Sequence, residues 1–465
     1  MSDVSAGHAS TAAAAAPSAA AAGLAVEAAK LDAGDELASI RDRFELDETI
    51  YLDGNSLGAL PSGVADRLAD VVRREWGQLR IRSWDESGWW TAPERIGDRV
   101  APLIGAAAGQ VVVGDSTSVN VFKAVVAAVR IAQADGVAGA AEPVRPVAGT
   151  DQVAGLARLA RPARTDQAAS PARPARTVIL VDEATFPTDG YIAESAARLT
   201  GCRIEPVPAG GMAALLASPA GAEVAVALVN HVDYRTGRLH DLPGTTAAAH
   251  AAGARIVWDL CHSAGALPVG LDAHGVDFAI GCTYKYLNGG PGSPAYLYVA
   301  RELQPRFDSP LPGWNSHADP FGMDPAYTPA DGSARGRVGT PDILSMLALD
   351  AALDAWDGVS IEAVRAKSLA LTDFFLRAVA ELVPPGYVEP LTPAGHAQRG
   401  SQVSLRCGGE GAAAGDVMAE LIRRGGVGDF RRPDVLRFGF TPLYTSFTDA
   451  QRAARVLADV LLDAR

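Results

Sequence analysis

Short apolar runs alternate with helix-like segments through the middle of this chain of 465 residues. The segments that lie between the runs have apolar residues at helical spacing. Because a strand, a helix and a further strand in succession favour parallel strands covered by helices, the pattern predicts an α/β fold with a mostly parallel central sheet and helices on both faces. The predicted strands are 111–113, 177–181, 225–229, 255–258 and 276–280, and the predicted helices are 118–134, 189–199 and 245–252.

The C-terminal part has a different pattern, in which helices and strands do not alternate regularly. Helices are predicted at 360–382 and 416–424, and strands at 403–406 and 435–438. A last helix follows, because its apolar residues repeat on one face. Those residues are Ala453, Val456, Leu457, Val460 and Leu461. We expect a large domain at 102–345, a smaller α+β domain at 346–465, and an N-terminal segment, 31–101, that spans both.

Two stretches of low complexity interrupt this pattern. The first 30 residues are rich in alanine, and their beginning carries Asp3 but no lysine or arginine. A signal peptide normally has a basic beginning, so a disordered tail is the favoured interpretation. The second stretch, 136–175, is rich in Gly, Ala, Pro, Arg and Thr and is predicted to be a surface insertion in the large domain.

Composition restricts the class of partner. A net charge of −13 argues against nucleic acid or an anionic membrane as the main partner, because a polyanion would be repelled. No apolar stretch of about 18 residues suggests a membrane span. The four cysteines lack the paired spacing of a metal site, so we expect no metal, and we interpret them as reduced thiols in a cytoplasmic protein.

An acid and a lysine stand in a suggestive order. Asp259 ends an apolar strand, and Lys285 follows about one βα unit later in a Gly-rich setting. Enzymes that use pyridoxal 5′-phosphate (PLP) need such a pair, because the lysine binds the cofactor aldehyde and the acid keeps the pyridine nitrogen protonated. Each residue alone has an ordinary explanation, as a helix cap or as a solvated lysine. Their joint order with a hydroxyl cluster favours the cofactor site.

Three further features fit such a site. The hydroxyl cluster at 114–120 precedes a helix and suits a phosphate, although a simple N-cap has the same composition. Phe186 follows a strand and could stack on a planar ring or be a core residue at a turn. His262 could contact a cofactor oxygen or be a hydrogen-bonded turn residue.

Six segments, in order, resemble the kynureninase family, which belongs to the fold type I, aspartate-aminotransferase-like group of PLP enzymes. They are YLDGNSLG (51–58), IRSW (81–84), FPTD (186–189), DLCH (259–262), YKYLNGGPG (284–292) and TPLY (441–444). The resemblance extends from about residue 51 to the C-terminus and is interrupted at 136–175. Several motifs in the right order make it far more specific than a single lysine motif.

The resemblance implies a role for individual residues. Lys285 would form the Schiff base with PLP, Asp259 would pair with the pyridine nitrogen, and Phe186 would stack on the ring. Arg437 would hold the α-carboxylate of the substrate, for which a planar bidentate donor is well suited. The other implied cofactor contacts are Thr117 and Ser118 at the phosphate, together with Asp189, His262 and Tyr284. Asn230 is a further implied cofactor contact, at a position where relatives more often carry a hydroxyl.

Trp314 and Thr340 resemble further cofactor or active-site positions of the family. In homologous enzymes these two come from the neighbouring subunit, so the resemblance implies a homodimer with shared active sites.

The implied reaction is hydrolysis of the Cβ–Cγ bond of L-kynurenine, or of its 3-hydroxy form, to anthranilate or 3-hydroxyanthranilate and L-alanine. Lys285 would remove the Cα proton once it is released from the cofactor. Tyr284 would either transfer a proton at the γ-carbonyl or Cβ, or only hydrogen-bond the phosphate. The sequence leaves open which ring form is preferred and whether the pathway is tryptophan catabolism, NAD biosynthesis or secondary metabolism.

Two alternatives share part of this pattern. Another fold type I enzyme, such as an aminotransferase or a cysteine desulfurase, would keep the cofactor residues, but a desulfurase needs a nucleophilic cysteine on an exposed loop, and none of the four has that context. A non-catalytic PLP-binding regulator should carry an added DNA-binding module with a basic face, and no such segment is predicted.

Overall fold

A computed structural model describes residues 19–138, 175–408 and 413–463. The α-helices of these ranges are α1 (Ala19–Ala33), α2 (Val64–Asp70), α3 (Ser83–Glu86), α4 (Ala92–Val100), α5 (Thr117–Ala138), α6 (Pro187–Thr200), α7 (Met212–Leu216), α8 (Leu242–Ala252), α9 (Ile343–Ala352), α10 (Ile361–Leu382), α11 (Ala414–Arg423) and α12 (Phe447–Asp463). The strands are β1 (Ile50–Tyr51), β2 (Val111–Val113), β3 (Val178–Asp182), β4 (Arg203–Val207), β5 (Val224–Asn230), β6 (Arg255–Asp259), β7 (Phe278–Gly281), β8 (Tyr296–Val299), β9 (Val388–Pro390), β10 (Gln402–Cys407), β11 (Gly426–Val427), β12 (Asp429–Arg431) and β13 (Val435–Gly439). Every strand and helix predicted from apolar spacing is present.

Seven strands form the central sheet, in the order β2-β8-β7-β6-β5-β3-β4. Four neighbouring pairs, β3 with β4, β3 with β5, β5 with β6 and β6 with β7, are parallel. Only β8 runs against its neighbours within this described sheet. Two helix pairs, α5 with α6 and α7 with α8, pack beside the sheet. The predicted α/β class with a mostly parallel sheet is therefore confirmed.

Two strands of this sheet were not predicted. At the edge, β4 has the sequence Arg-Ile-Glu-Pro-Val, and most of its residues are at least partly exposed. Proline and charged residues are typical of edge strands and weaken the apolar signal. The other strand, β8, has only four residues and follows a Gly-rich loop.

The sheet places several polar residues at one edge. The parallel strands β3, β5 and β6 end at Asp182, Asn230 and Asp259, and Asn230 pairs in register with Asp259. The carboxyl edge of an open α/β sheet is where ligands usually bind. Because β2 runs in the same direction as β7, helix α5 also begins at this edge with Thr117.

The C-terminal part forms the predicted smaller α+β unit. Its antiparallel sheet has the order β12-β13-β10-β9. Helices α10 and α12 pack against each other and enclose a second hydrophobic core. Phe375 lies at the centre of that core, with ring centroids 5.2 Å from those of both Phe438 and Phe440.

The predicted disordered tail is wrong for residues 19–30. These residues belong to α1, which packs against α12 and buries Leu24 and Ala28 in the second core. The Ala-rich composition gave no sign of this, because the partner surface lies more than 400 residues away. The first 18 residues of the predicted tail lie outside the described residues.

The N-terminal segment contacts both the C-terminal part and the large α/β part of the structure. Strand β1 pairs in parallel with β11, and the backbone N–H of Gly58 donates to the carbonyl oxygen of Tyr284 at 2.7 Å. A side chain at Gly58 would overlap the carbonyl oxygen of Lys285, so only glycine permits this approach. Sequence positions 51–58 are thereby held against the segment that carries Lys285.

The larger core continues past the predicted domain boundary at residue 345, since it includes Met346, Leu349 and Trp356. The predicted insertion at 136–175 begins later than expected, because α5 extends to Ala138. The remainder of that insertion, 139–174, lies outside the described residues. Within the described ranges, no helix is both long enough and apolar enough to cross a membrane.

Candidate active site

Asp259 lies at the centre of the polar edge. Its Oδ2 accepts a hydrogen bond of 2.6 Å from Asn230, and its Oδ1 accepts one of 2.8 Å from the backbone N–H of Cys261. The side chain is buried. A turn follows Asp259, so the alternative role of this residue as a helix cap is wrong. Both oxygens are held by donors, so the orientation of the carboxyl group is fixed.

Asn230 connects two acids. It donates 2.9 Å to Asp189 as well as 2.6 Å to Asp259, and its own oxygen accepts from the hydroxyl of Thr185 at 2.6 Å. Burial, together with the charge of Asp259, holds the pKa of Asp189 well above its ordinary value. Asn230 therefore has no free N–H for the direct cofactor contact that was predicted, and it positions the two carboxyl groups instead.

Lys285 and Asp259 both lie close to Asp189, and we call the region around these three side chains the crevice. The positive charge of Lys285 and the negative charge of Asp259 both act on Asp189, which lies next to them. The Lys285 side chain is half-buried, and its Nζ lies 5.9 Å from the centroid of the Tyr284 ring. The alternative of a freely solvated lysine does not describe this environment.

A cavity of about 500 Å³ opens at the start of α5, and Tyr284, the residue before Lys285, lies on its wall. Thr117 and Ser118 line it together with Tyr284 and Thr340. Ser116 is the residue that caps the helix, because its Oγ accepts from the backbone of Val119 at 3.4 Å. In the described part of the chain the Ser118 hydroxyl makes no hydrogen bond. The cavity thus offers hydroxyl groups and a helix N-terminus, as an anion requires.

Phe186 and His262 lie at the same edge. The Phe186 side chain is 41% exposed and meets the ring of Tyr234 edge-to-face at 5.2 Å, so the alternative of a core phenylalanine is wrong. His262 Nδ1 is 3.0 Å from Gln402 Oε1, as expected for a hydrogen-bonded turn residue. Burial and the positive charge of Lys285 hold the pKa of His262 well below its usual range, so its ring is neutral.

The two residues implied to act across a subunit boundary occupy different places. Thr340 lines the same cavity as Ser118 within one chain. Trp314 is not on that wall; it is 41% exposed, and its ring lies 5.9 Å from Trp90 and 6.2 Å from Phe321. Their contribution to a neighbouring subunit stays a prediction.

Arg437 is buried between the two domains. Its Nη2 donates to Asp429 at 2.5 Å and to the Ser56 hydroxyl at 2.7 Å, and its Nη1 donates to the carbonyl oxygen of Tyr234 at 3.0 Å. Only 1% of the residue is exposed. The positive charge of Arg437 reaches His262, which places it near the crevice.

Sequence reasoning missed several residues around this site. Asp429 pairs with Arg437, and Lys123 bridges Asp115 and the carbonyl oxygen of Gly336 at 2.7 and 2.6 Å. Such isolated charged residues have no recognisable motif. Ser56 is different, because it lies in the segment YLDGNSLG, which could have been assigned to the site. Among the described residues no group of three or more His, Cys, Asp or Glu side chains could hold a metal ion.

Several solved structures share this fold. The cysteine desulfurase of Thermococcus onnurineus NA1 is similar with a TM-score of 0.69 and 17% identity, covering 91% of this chain and 98% of that one. The cystine C-S lyase C-DES, in complex with cysteine persulfide, has a TM-score of 0.69 and 18% identity, with coverage of 89% and 98%. A C-DES mutant with glycine covalently linked to its PLP cofactor is similar with a TM-score of 0.68 and 18% identity. The fold is that of the fold type I PLP-dependent enzymes.

Sequence comparison narrows this class. The model of the kynureninase C-terminal domain matches residues 364–457. The kynureninase of Deinococcus radiodurans is 47% identical over 438 residues, covering 93% of this chain and 95% of the relative. That of Burkholderia pseudomallei strain 1106a is 43% identical over 440 residues, with coverage of 94% and 95%. The chain belongs to the kynureninase family.

Proposed function

We propose that this protein is a PLP-dependent hydrolase that cleaves the Cβ–Cγ bond of L-kynurenine or 3-hydroxy-L-kynurenine, releasing anthranilate or 3-hydroxyanthranilate and L-alanine. The observation that carries the proposal is that Lys285 and a hydrogen-bonded Asp259 both lie close to Asp189, in a chain that is 47% identical to a kynureninase over nearly its whole length. The reaction belongs to the hydrolases that act on carbon–carbon bonds.

The residues present fit PLP. The unpartnered hydroxyl of Ser118, with Thr117 and the N-terminus of α5, suits the phosphate. The exposed ring of Phe186 is available for stacking, and Asp259 is held so that it can pair with a protonated pyridine nitrogen. When bound through Lys285, this cofactor supplies the electron sink that stabilises negative charge next to the substrate amine.

Residues of the chain itself would remove and hold the protons of the reaction. Lys285 is the base that removes the proton from Cα, and it is half-buried close to Asp259 and Asp189. Asn230 keeps both carboxyl groups in place. Burial and the charge of Asp259 hold the pKa of Asp189 well above its ordinary value, which favours a neutral Asp189 beside Asp259.

Tyr284 has two possible tasks in this scheme. The neighbouring thiol of Cys282 and burial raise the pKa of Tyr284, so its phenol keeps the proton at neutral pH. A protonated phenol can donate to the γ-carbonyl oxygen or to Cβ, and it can equally donate to the phosphate. Its place on the cavity wall with Ser118 favours the phosphate.

Arg437 would recognise the substrate α-carboxylate. The residue is a buried guanidinium next to the crevice, and its neighbours Ser56 and Asp429 come from two other segments of the chain. A guanidinium presents parallel N–H groups that match a carboxylate. This task applies to either ring form of the substrate.

The cysteine desulfurase alternative would require a reactive cysteine near the substrate. Burial raises the pKa of Cys202 and Cys407. Cys282 is buried, and Cys261 is half-buried in the turn after β6. A thiolate that attacks a bound substrate needs an exposed loop. The likeness to desulfurases, at 17% identity, concerns the fold alone.

A homodimer is the assembly we propose. Large apolar side chains are exposed around Trp314, and a soluble monomer rarely leaves such a cluster uncovered. They include Trp314 itself at 41%, Phe321 at 69% and Met323 at 79% exposure. A second copy of the chain would cover them and bring Trp314 to its active site. The four free cysteines agree with the proposed cytoplasmic location.

The test is to incubate purified protein and PLP with L-kynurenine and, separately, with its 3-hydroxy form. We expect anthranilate fluorescence and an equal amount of alanine from one or both. L-Cysteine, with sulfide as the measured product, tests the desulfurase alternative in parallel. Formation of a keto acid in place of alanine would indicate an aminotransferase. The absence of cleavage products from both kynurenines would overturn the proposal.

A further inference from the structure

The guanidinium of Arg437 is almost fully occupied by the protein itself. Nη2 uses both of its N–H groups, on Asp429 at 2.5 Å and on Ser56 at 2.7 Å, and Nη1 uses one on the Tyr234 carbonyl at 3.0 Å. The side-chain amide of Asn55 can turn its oxygen toward Nε at 3.3 Å. Since a guanidinium has five N–H groups, one remains free. A substrate carboxylate that binds with two hydrogen bonds must therefore displace a resident partner.

Asp429 is the resident partner with the matching chemistry. It is a carboxylate, as the α-carboxylate of the substrate is, and it binds Nη2 through a single oxygen, Oδ2. Its other oxygen accepts from the backbone N–H of Phe430 at 2.7 Å, so Asp429 stays fixed to its own strand. The Ser56 hydroxyl, by contrast, is neutral and lies 3.4 Å from the same Oδ2.

A second arginine, Arg431, also pairs with Asp429. Arg431 Nη2 lies 2.6 Å from Asp429 Oδ2, the same oxygen that Arg437 binds. Arg431 Nε is buried and has no hydrogen-bond partner among the described residues. Asp429 can therefore leave Arg437 and keep an ion pair with Arg431. The carboxylate would be neutralised in both positions.

We propose that Asp429 occupies the place of the substrate carboxylate on Arg437 when no substrate is bound. Asp429 holds Arg437 in position until the substrate binds, and it then pairs with Arg431 alone. This rests on the proposed function, in which Arg437 binds the α-carboxylate. Asp429 is thus a positioning residue that also competes with the substrate. The exchange lets a buried arginine remain paired at every stage, since an unpaired buried charge is costly.

The exchange predicts opposite effects for a substitution of Asp429 and a substitution of its partner Arg431. In Asp429→Asn the competing charge is lost, so L-alanine, which has the α-carboxylate and the amine of the substrate but no ring, should bind the PLP-loaded enzyme at least about threefold more tightly. In Arg431→Gln the alternative partner is lost, so Asp429 should stay on Arg437 and L-alanine should bind at least about threefold more weakly. The combined variant should not show the weakening, because the effect of Arg431 acts through Asp429.

Binding is measured by titration calorimetry and by the change in visible cofactor absorbance. Ethylamine, which lacks the carboxylate, should bind equally to all variants. Asp434→Asn is the matched control, since Asp434 lies on the same hairpin and pairs with Arg406 at 3.4 Å. Melting temperature and the cofactor band report whether each variant is folded.

The outcomes separate this inference from the proposed function. If Arg437→Gln leaves the preference for L-alanine over ethylamine intact, the assignment of the carboxylate to Arg437 is wrong. If Arg437→Gln removes that preference while Asp429→Asn weakens L-alanine binding or leaves it unchanged, Arg437 keeps its role and the exchange is refuted. Equal weakening by Asp429→Asn and Arg431→Gln would also refute it.

Discussion

The side-chain amide of Asn230 donates hydrogen bonds to Asp259 at 2.6 Å and to Asp189 at 2.9 Å. Both acids are buried. In parallel strands that are neighbours, Asn230 and Asp259 are also paired in register. The sheet itself therefore fixes the acid that is assigned to the pyridine nitrogen.

Asn230→Leu should weaken PLP binding. The leucine has a similar size but removes the donor to Asp259, and a buried acceptor without its partner costs about 1–3 kcal/mol. We expect the dissociation constant of PLP to rise about tenfold or more, measured by equilibrium dialysis. Thr246→Val is the control, because it removes a buried hydrogen bond to Trp258 on the same strand as Asp259 but outside the site. Equal PLP affinity in both variants would contradict the role of Asn230.

Lys285→Ala should abolish the visible absorbance of the PLP-loaded enzyme together with turnover. The alanine removes the only amine that was assigned to hold the cofactor and to move the Cα proton. Loss of more than about 10³-fold in kcat is expected for a residue with both tasks. Lys30→Ala, on helix α1, should behave as the unchanged protein. Normal turnover in Lys285→Ala would remove this lysine from the mechanism.

Lys123→Met should loosen the phosphate site. Lys123 is buried and ties Asp115, in the loop before α5, to Gly336, beside the opposite cavity wall. Burial lowers the pKa of Lys123, but its ion pair with Asp115 favours the charged form. Without this bridge between Asp115 and Gly336 we expect PLP to bind about tenfold more weakly, while kcat at saturating PLP is nearly unchanged.

Arg130→Met is the control for this prediction. Arg130 lies on the same helix, but its ion pair with Asp308 is exposed, and exposed pairs contribute little. A fluorescence titration with PLP measures both variants. If Lys123→Met and Arg130→Met bind PLP alike, the bridge does not organise the site.

The sequence predicted the elements whose signal is local. Runs such as 224–229 are continuously apolar and rich in valine, and helix α10 begins at a clear cap, Ser360, whose Oγ accepts from the backbone N–H of Glu362 at 3.1 Å. Helix α1 was not predicted, because its stability comes from packing against α12, and short isolated helices are marginal in water. Its apolar partners are not visible in its own composition.

The site was predictable in its chemistry and not in its contacts. Order along the chain was enough to pair Asp259 with Lys285, because parallel strands end at a common edge. The surroundings of Arg437 were not, since Ser56 and Tyr234 come from distant segments and Asp429 is brought opposite Arg437 by the pairing of β12 with β13. A single charged residue such as Asp429 has no signal until folding brings its partner close.

The last prediction concerns pH and Asp53. Burial raises the pKa of Asp53 to about 6, well above its ordinary value of 3.8, so the folded protein keeps a proton that the unfolded chain has released. Because the folded state binds more protons between about pH 4 and 6, this residue lowers the free energy of unfolding as the pH rises through that window, and its effect is constant above it. The change is on the order of 2 kcal/mol. Asp53→Asn cannot release a proton, so the difference in free energy of unfolding between variant and unchanged protein should grow from pH 4 to pH 6 in favour of the variant. Urea unfolding at several pH values measures it, and curves that stay parallel across this range would show that Asp53 titrates normally in the folded protein.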